Sequence, residues 1–311
     1  MAANLGKINR SRFYFEWKGH QIQDLVSFHA ITTAERPGKP IVYLAGDSSL
    51  DNKHWVSNEQ EVDIEVPEIY KHTLGKPTPK LDVAFWMNHL LVDRATCINT
   101  AVEESMLRQR DEGLLAHDKF IRDNIRSQDV LIVSVGANDI ALRPLPCTIR
   151  HMLQLAWATS RSSLEKGTAS SLKYFNHMFC DKVQDYVDRM TAKTRPRAVI
   201  ICMIYYPLES GLGQSSWADT QLKALGYNTW PEQLQTAIST LYRTATQKIR
   251  IQDTQVLPCA LHEVLDGKTA KDYTARVEPN EEGGRKMANK FVELLDTMWS
   301  QPLPNDQVAI Q

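Results

Sequence analysis

Short runs of apolar, often branched residues recur along the chain: Ile41–Ala45, Arg94–Asn99, Val130–Val135, Ala198–Tyr206 and Gln255–Pro258. The strongest of them are continuous rather than alternating, the pattern of strands buried on both faces. Between them, apolar residues recur at three- and four-residue spacing. Leu172, Phe175, Met178, Phe179, Val183, Tyr186, Val187 and Met190 mark a long amphipathic helix over Ser170–Lys193. Helices are likewise predicted over Leu81–Leu91, Glu103–Leu115, Phe120–Arg126, Thr229–Ile249 and Gly284–Trp299. Strands alternating with helices predict α/β architecture: a three-layer α/β/α sandwich with a mostly parallel sheet. Residues 1–40 read as a β-hairpin-like addition, 41–300 as the α/β domain and 301–311 as a flexible tail. Residues 57–80, rich in Pro and charge, read as a long excursion over the active face, and 208–229 as an insertion that walls a pocket.

Two of the runs end alike. Ile41–Ala45 stops at Gly46-Asp47-Ser48, and Val130–Val135 stops at Gly136-Ala137-Asn138-Asp139. Ligands of open α/β sheets gather at the carboxyl ends of the strands. If both strands share one parallel sheet, Ser48 and Asn138 face each other across a cleft. A hydroxyl nucleophile beside an amide donor begins an acyl-transfer site. Tyr205 and Tyr206 close the run from Ala198 on the same face, either to donate to substrate or to pack in the core.

Gly46-Asp47-Ser48 and Gly136-Ala137-Asn138-Asp139, in this order and each after a strand, resemble the SGNH (GDSL) hydrolase superfamily over roughly residues 41–299. The resemblance implies an SGNH-like fold, Ser48 as nucleophile, and Asn138 with the backbone N–H near Ser48 as oxyanion donors. Two other blocks depart from the family pattern. Where Asn-x-Gly-x-x-Gly is expected, the chain has Asn99-Thr100-Ala101-Val102-Glu103-Glu104, with Glu104 at the glycine whose N–H serves the oxyanion. Where Asp-x-x-His-Pro-Asn is expected, it has Ala275-Arg276-Val277-Glu278-Pro279-Asn280. The base position thus holds Glu278, and its orienting aspartate is Ala275. Loss of the base can cost on the order of 10⁶ in rate.

Three readings follow. The site is silent and binds only; or Glu278, His54 or His262 replaces the base in an ester hydrolase; or the enzyme passes an activated acyl group to an amine. Glu103, Glu104 and Glu278, with Asp47 and Asp139, would then bind a cationic substrate. Ala101-Val102-Glu103-Glu104-Ser105 and Arg276-Val277-Glu278-Pro279 on this scaffold also look like the arginine-containing cyclodipeptide synthases. That resemblance implies aminoacyl-tRNA as partner, an aminoacyl-enzyme on Ser48 and a diketopiperazine product. It is the preferred expectation, ahead of the divergent ester hydrolase acting on a small acyl ester and of the silent binding protein.

Composition narrows this little. The 311 residues carry 36 basic and 37 acidic side chains, so bulk charge demands no nucleic acid or anionic surface. Lys7, Arg10, Arg12 and Lys18, and Lys193, Arg195 and Arg197, are local basic clusters. Five scattered cysteines without a Cys-x-x-Cys pair read as reduced thiols. No apolar leader or membrane span is visible, so the expectation is a cytoplasmic chain with no membrane partner. No P-loop, dinucleotide fingerprint or metal-ligand spacing is present, and no cofactor or metal is expected.

Overall fold

In the computed structural model, which describes residues 6–57 and 64–301, all five apolar runs become strands of one sheet. They are β1 (Ile41–Gly46), β2 (Thr96–Asn99), β3 (Val130–Ser134), β4 (Ala198–Met203) and β5 (Gln255–Ala260). Every pairing is parallel, in the order β2-β1-β3-β4-β5. β1 to β4 are buried along their whole length, as their unbroken apolar runs require. β5 is an edge strand, open to solvent over its first residues, and there alone the sheet accommodates a proline, Pro258.

Helices cover both faces. Val83–Leu91 and Glu281–Trp299 pack on each other in one layer. Ala116–Asn124 packs on Val183–Met190, and Pro231–Thr244 on Leu172–Asn176, in the other. The architecture is therefore the three-layer sandwich expected. The strand order reverses between β1 and β3, the topological switch point at which doubly wound sheets of this order bind ligands.

The amino-terminal segment corrects the expectation of a hairpin. It forms the helices Arg10–Phe15 and Ile22–Glu35. Part of its aromatic cluster packs inward: Phe13 stacks on His20 with centroids 3.7 Å apart, and Phe13, Tyr14 and Phe28 join the common core, while Phe15 and Trp17 stay exposed. An aromatic cluster this short fits an edge strand or a short half-buried helix equally well. The helix expected over Glu103–Leu115 is also absent, and only the 3-10 turn Leu107–Arg110 forms. Side-chain acceptors outcompete the helical ladder there: Asp51 takes the Glu103 N–H at 3.0 Å and Asp139 takes that of Leu107 at 2.6 Å. The tail expected beyond Pro302, and part of the excursion after Ser57, lie outside the described residues.

Candidate active site

The end of β1 is shaped by contact with β3. Gly46 has φ +130°, and a Cβ there would fall 1.7 Å from the Ser134 carbonyl oxygen, so only glycine fits. The close approach lets the Asp47 N–H donate to that carbonyl at 3.1 Å. The chain then turns, with the N–H groups of Leu50 and Asp51 returning to the Asp47 carbonyl. Ser48 sits in this turn, 8% exposed. Its own N–H meets no acceptor among the described residues. Asp47 Oδ1 accepts from the Ser49 N–H at 3.1 Å and the Ser49 hydroxyl at 2.7 Å, while Oδ2 is buried without a partner. Burial pushes the Asp47 carboxyl up to about 6.

Across the switch point, Gly136 adopts φ +109°, where a Cβ would meet the Phe179 ring at 2.9 Å. The helix Ala137–Ala141 begins there and brings Asn138 into the lining of the cavity that Ser48 also lines. One Asn138 Nδ2 hydrogen is committed to the Ser105 carbonyl at 3.1 Å, which leaves the second for a ligand. Asp139 does not reach the cavity. It accepts the N–H groups of Leu107 and Arg108, at 2.6 and 3.1 Å, and ties down their turn.

Glu278 arrives from the opposite side, on β7 (Glu278–Pro279), which pairs antiparallel with β6 (Tyr273–Thr274). Ala275 and Arg276 before it are both left-handed, at φ 51° and 63°. Arg276 holds this bend from within. Its guanidinium donates to the Leu208 carbonyl at 3.1 Å, Asp219 Oδ1 at 2.6 Å and Asn228 Oδ1 at 2.9 Å. The Glu278 carboxyl, 3% exposed, thereby lines the same cavity as Ser48, and the nearness of the serine hydroxyl favours its charged form. Oε1 accepts from Trp217 Nε1 at 3.2 Å, and Oε2 has no partner of good geometry. Burial outweighs these contacts and, with the nearby Asp47 and Glu104 charges, pushes Glu278 up to about 8.

Glu103 is set the same way. Trp55 Nε1 donates to its Oε1 at 3.1 Å, and Oε2 is buried and unpartnered. Burial, reinforced by the Glu278 and Asp51 charges, pushes it up to about 9. Its backbone is anchored on Asp51, which also accepts from Gly19 N–H at 2.9 Å and Lys53 Nζ at 2.6 Å. Glu104, at the glycine position of the family pattern, adopts the left-handed φ of 58° that glycine would take. Its side chain turns to Lys18 at 3.1 Å, and its N–H has no acceptor among the described residues.

Tyr205 lines the cavity with its ring, but its hydroxyl is spent on the Val277 carbonyl at 2.7 Å, where it braces the Glu278 strand. Tyr206 lies outside the cavity, against the His262 ring at 5.2 Å. His54 is exposed between Trp17 and Trp55. Neither histidine lines the cavity, and no lysine or arginine does. Among the described residues no group of His, Cys, Asp and Glu is placed to hold a metal.

Trp217, Ala218, Gln221, Leu222 and Leu225, from the insertion expected to wall a pocket, do line the cavity, while its apolar depth escaped sequence reasoning. The cavity encloses about 1210 Å³ of empty space, its open mouth included, between Ser48 and the helices Pro146–Trp157 and Pro231–Thr244. Met152, Leu155, Phe175, Phe179, Leu234 and Ile238 make it apolar. The indole donors of Trp55 and Trp217 were missed as well. They meet their glutamates across 48 and 61 residues, and no local pattern encodes such a pairing.

No family model matches the chain, and no curated protein does. Among solved structures it is similar to Est24, a carbohydrate acetylesterase from Sinorhizobium meliloti, with 11% identity, TM-score 0.43, and 84% of this chain and 100% of the other covered. It is also similar to a protein assigned as a GDSL-like lipase from Bacteroides ovatus, with 11% identity and TM-score 0.40, covering 86% of this chain and 56% of that one. A third is the salicylyl-acyltransferase SsfX3 of a tetracycline biosynthetic pathway, with 10% identity and TM-score 0.38, covering 86% and 56%. The chain thus spans little more than half the length of two of them.

The expectation of an arginine-containing cyclodipeptide synthase fed by aminoacyl-tRNA is corrected. These similar structures are an esterase, a lipase and an acyltransferase, and none is a cyclodipeptide synthase. The site speaks against it too. Burial raises Glu103 to about 9 and Glu278 to about 8, which works against a carboxylate pair for a guanidinium near neutral pH, and the cavity that Ser48 lines is mostly apolar.

Proposed function

We propose that this protein is a serine-dependent carboxylic-ester hydrolase of the SGNH type, acting on esters of apolar acyl groups, in which Glu278 replaces the histidine base. The observation that carries the reading is the convergence of Ser48, Asn138 and the Glu278 carboxyl on the lining of one mostly apolar cavity. The Ser48 oxygen attacks the ester carbonyl carbon as its proton passes to ionised Glu278. The oxyanion is taken up by the free Asn138 N–H and the Ser48 and Glu104 N–H groups. Collapse expels the alcohol, which recovers the proton from Glu278, and the acyl chain stays in the cavity until water, activated the same way, releases it.

A glutamic acid is an adequate base only if its proton affinity is raised toward working pH, and burial supplies that here. The acid limb of activity should accordingly lie near pH 8 rather than near 6.5. The reading is tested with aryl esters of increasing acyl length and intact-mass detection of the acyl-enzyme. Acylation that requires Ser48 and favours longer chains over acetyl supports it. Absence of any Ser48-dependent turnover or adduct across the series overturns it.

A further inference from the structure

The helix Pro146–Trp157 is apolar on two sides. Its inner side gives Met152, Leu155 and Ala156 to the cavity. Outward, Leu145, Ile149, Leu153 and Trp157 follow at four-residue spacing, a stripe winding slowly round the helix, each between 41% and 57% exposed. Trp230, 58% exposed, extends the stripe by an edge-on contact with Trp157 at 6.0 Å. Trp217, which holds Glu278 and lines the cavity, is itself 39% exposed. Phe15, Trp17, Val26 and Val92 are exposed elsewhere, but the stripe beside the acyl cavity groups several large apolar side chains on one face, and such a patch marks an interaction surface.

The charge along the helix and its flanking turns is one-sided, with Glu232 the exposed acid beside Trp230. From Ile140 to Leu164 the chain carries Arg143, Arg150 and Arg161 and no Asp or Glu. Arg161 pairs with Glu165 at 3.1 Å. Arg143 and Arg150 are exposed and take part in none of the ion pairs seen among the described residues. A second copy of the chain seated on this face would bring these arginines against their own kind, which disfavours self-association. An anionic lipid surface complements them. The indoles of Trp157 and Trp230 suit the headgroup level of a bilayer.

We infer that the outer face of the helix Pro146–Trp157, with Trp230, docks on a lipid surface, so that an acyl group passes from the bilayer into the cavity on the inner side of the same helix. This sets aside the sequence expectation of no membrane partner. No helix of the described residues is long and apolar enough to cross a membrane, so the contact is peripheral.

The test is flotation of the full chain with phosphatidylcholine vesicles, with and without phosphatidylserine. The Ser48→Ala protein serves as parent, so that the result does not depend on the catalytic reading. The parent should float with both vesicles and bind the anionic ones more tightly. Ile149→Gln with Leu153→Gln should weaken both by roughly tenfold or more. Arg143→Gln with Arg150→Gln should weaken only the anionic binding, by a comparable factor that added salt reproduces in the parent. All four substitutions are on the surface and should leave the melting temperature unchanged. A parent that floats with neither vesicle, or binding that both double variants leave intact, overturns the inference. So does a dimer on gel filtration that the Ile149/Leu153 variant abolishes, which would assign the face to a second copy.

Discussion

The two sides of the candidate site are built on different principles. Ser48 and Asn138 stand at the ends of adjacent parallel strands, and their positions follow from the sheet: Gly46 and Gly136 are the residues that strand contact and a left-handed turn demand. Glu278 stands on a two-residue strand outside that sheet. It is held by Arg276, Tyr205 and Trp217, through partners 48 to 72 residues away. The nucleophile side is a property of the fold, and the base side is a property of a few long-range contacts. Substitutions on the base side should therefore lower the rate while leaving the serine in place.

The largest effects mark the nucleophile side. Ser48→Ala should remove the acyl-enzyme altogether and lower ester turnover by 10³-fold or more, seen as loss of the mass adduct. Asn138→Ala should cost roughly 10²–10³ in kcat, the scale of one oxyanion donor. On the base side, Arg276→Ala leaves Asp219 Oδ1, Asn228 Oδ1 and the Leu208 carbonyl without their donor. It should lower kcat about 10²-fold and slow the labelling of Ser48 by a fluorophosphonate probe by a comparable factor without abolishing it, whereas Ser48→Ala abolishes it.

Smaller effects probe the electrostatics. The Asp47 charge raises Glu278, so Asp47→Asn should move the acid limb of the rate profile to lower pH while Asn Oδ1 still accepts from Ser49. Smallest in rate is Glu103→Gln, whose readout is stability. The Glu103 carboxyl is raised from 4.5 to about 9, so between those values the folded chain binds a proton that the unfolded chain does not. That contribution is intact at pH 4.5 and is lost as pH rises toward 9. Glu103→Gln should thus raise the melting temperature at pH 8, by roughly 1–3 kcal/mol in stability, and change it little at pH 4.5.

The same division decides what the sequence disclosed. Continuous apolar runs and helical spacing encode burial over a few turns, so the sheet, most of its helices and the Ser48–Asn138 pair were legible. Glu278 was legible as a substitution at the base position, but not its environment. Trp217, Arg276 and the helix Pro146–Trp157 reach the site only through tertiary packing, and with them came the apolar cavity. The acidic residues looked like a receptor for a cation because sequence shows charge and not burial. Enclosed at 4% and 3% exposure, Glu103 and Glu278 are raised to about 9 and about 8, toward their protonated forms near neutral pH.

The most direct test of the central claim is the pH dependence of Ser48 acylation by an activated aryl ester, measured in single turnovers for the parent and for Glu278→Gln. The account predicts a parent rate that climbs with pH to a midpoint near 8, and a Glu278→Gln rate roughly 10³-fold lower with that limb gone. A Glu278→Gln protein that acylates at the parent rate with the same limb would show that another group takes the serine proton, and would contradict the assignment.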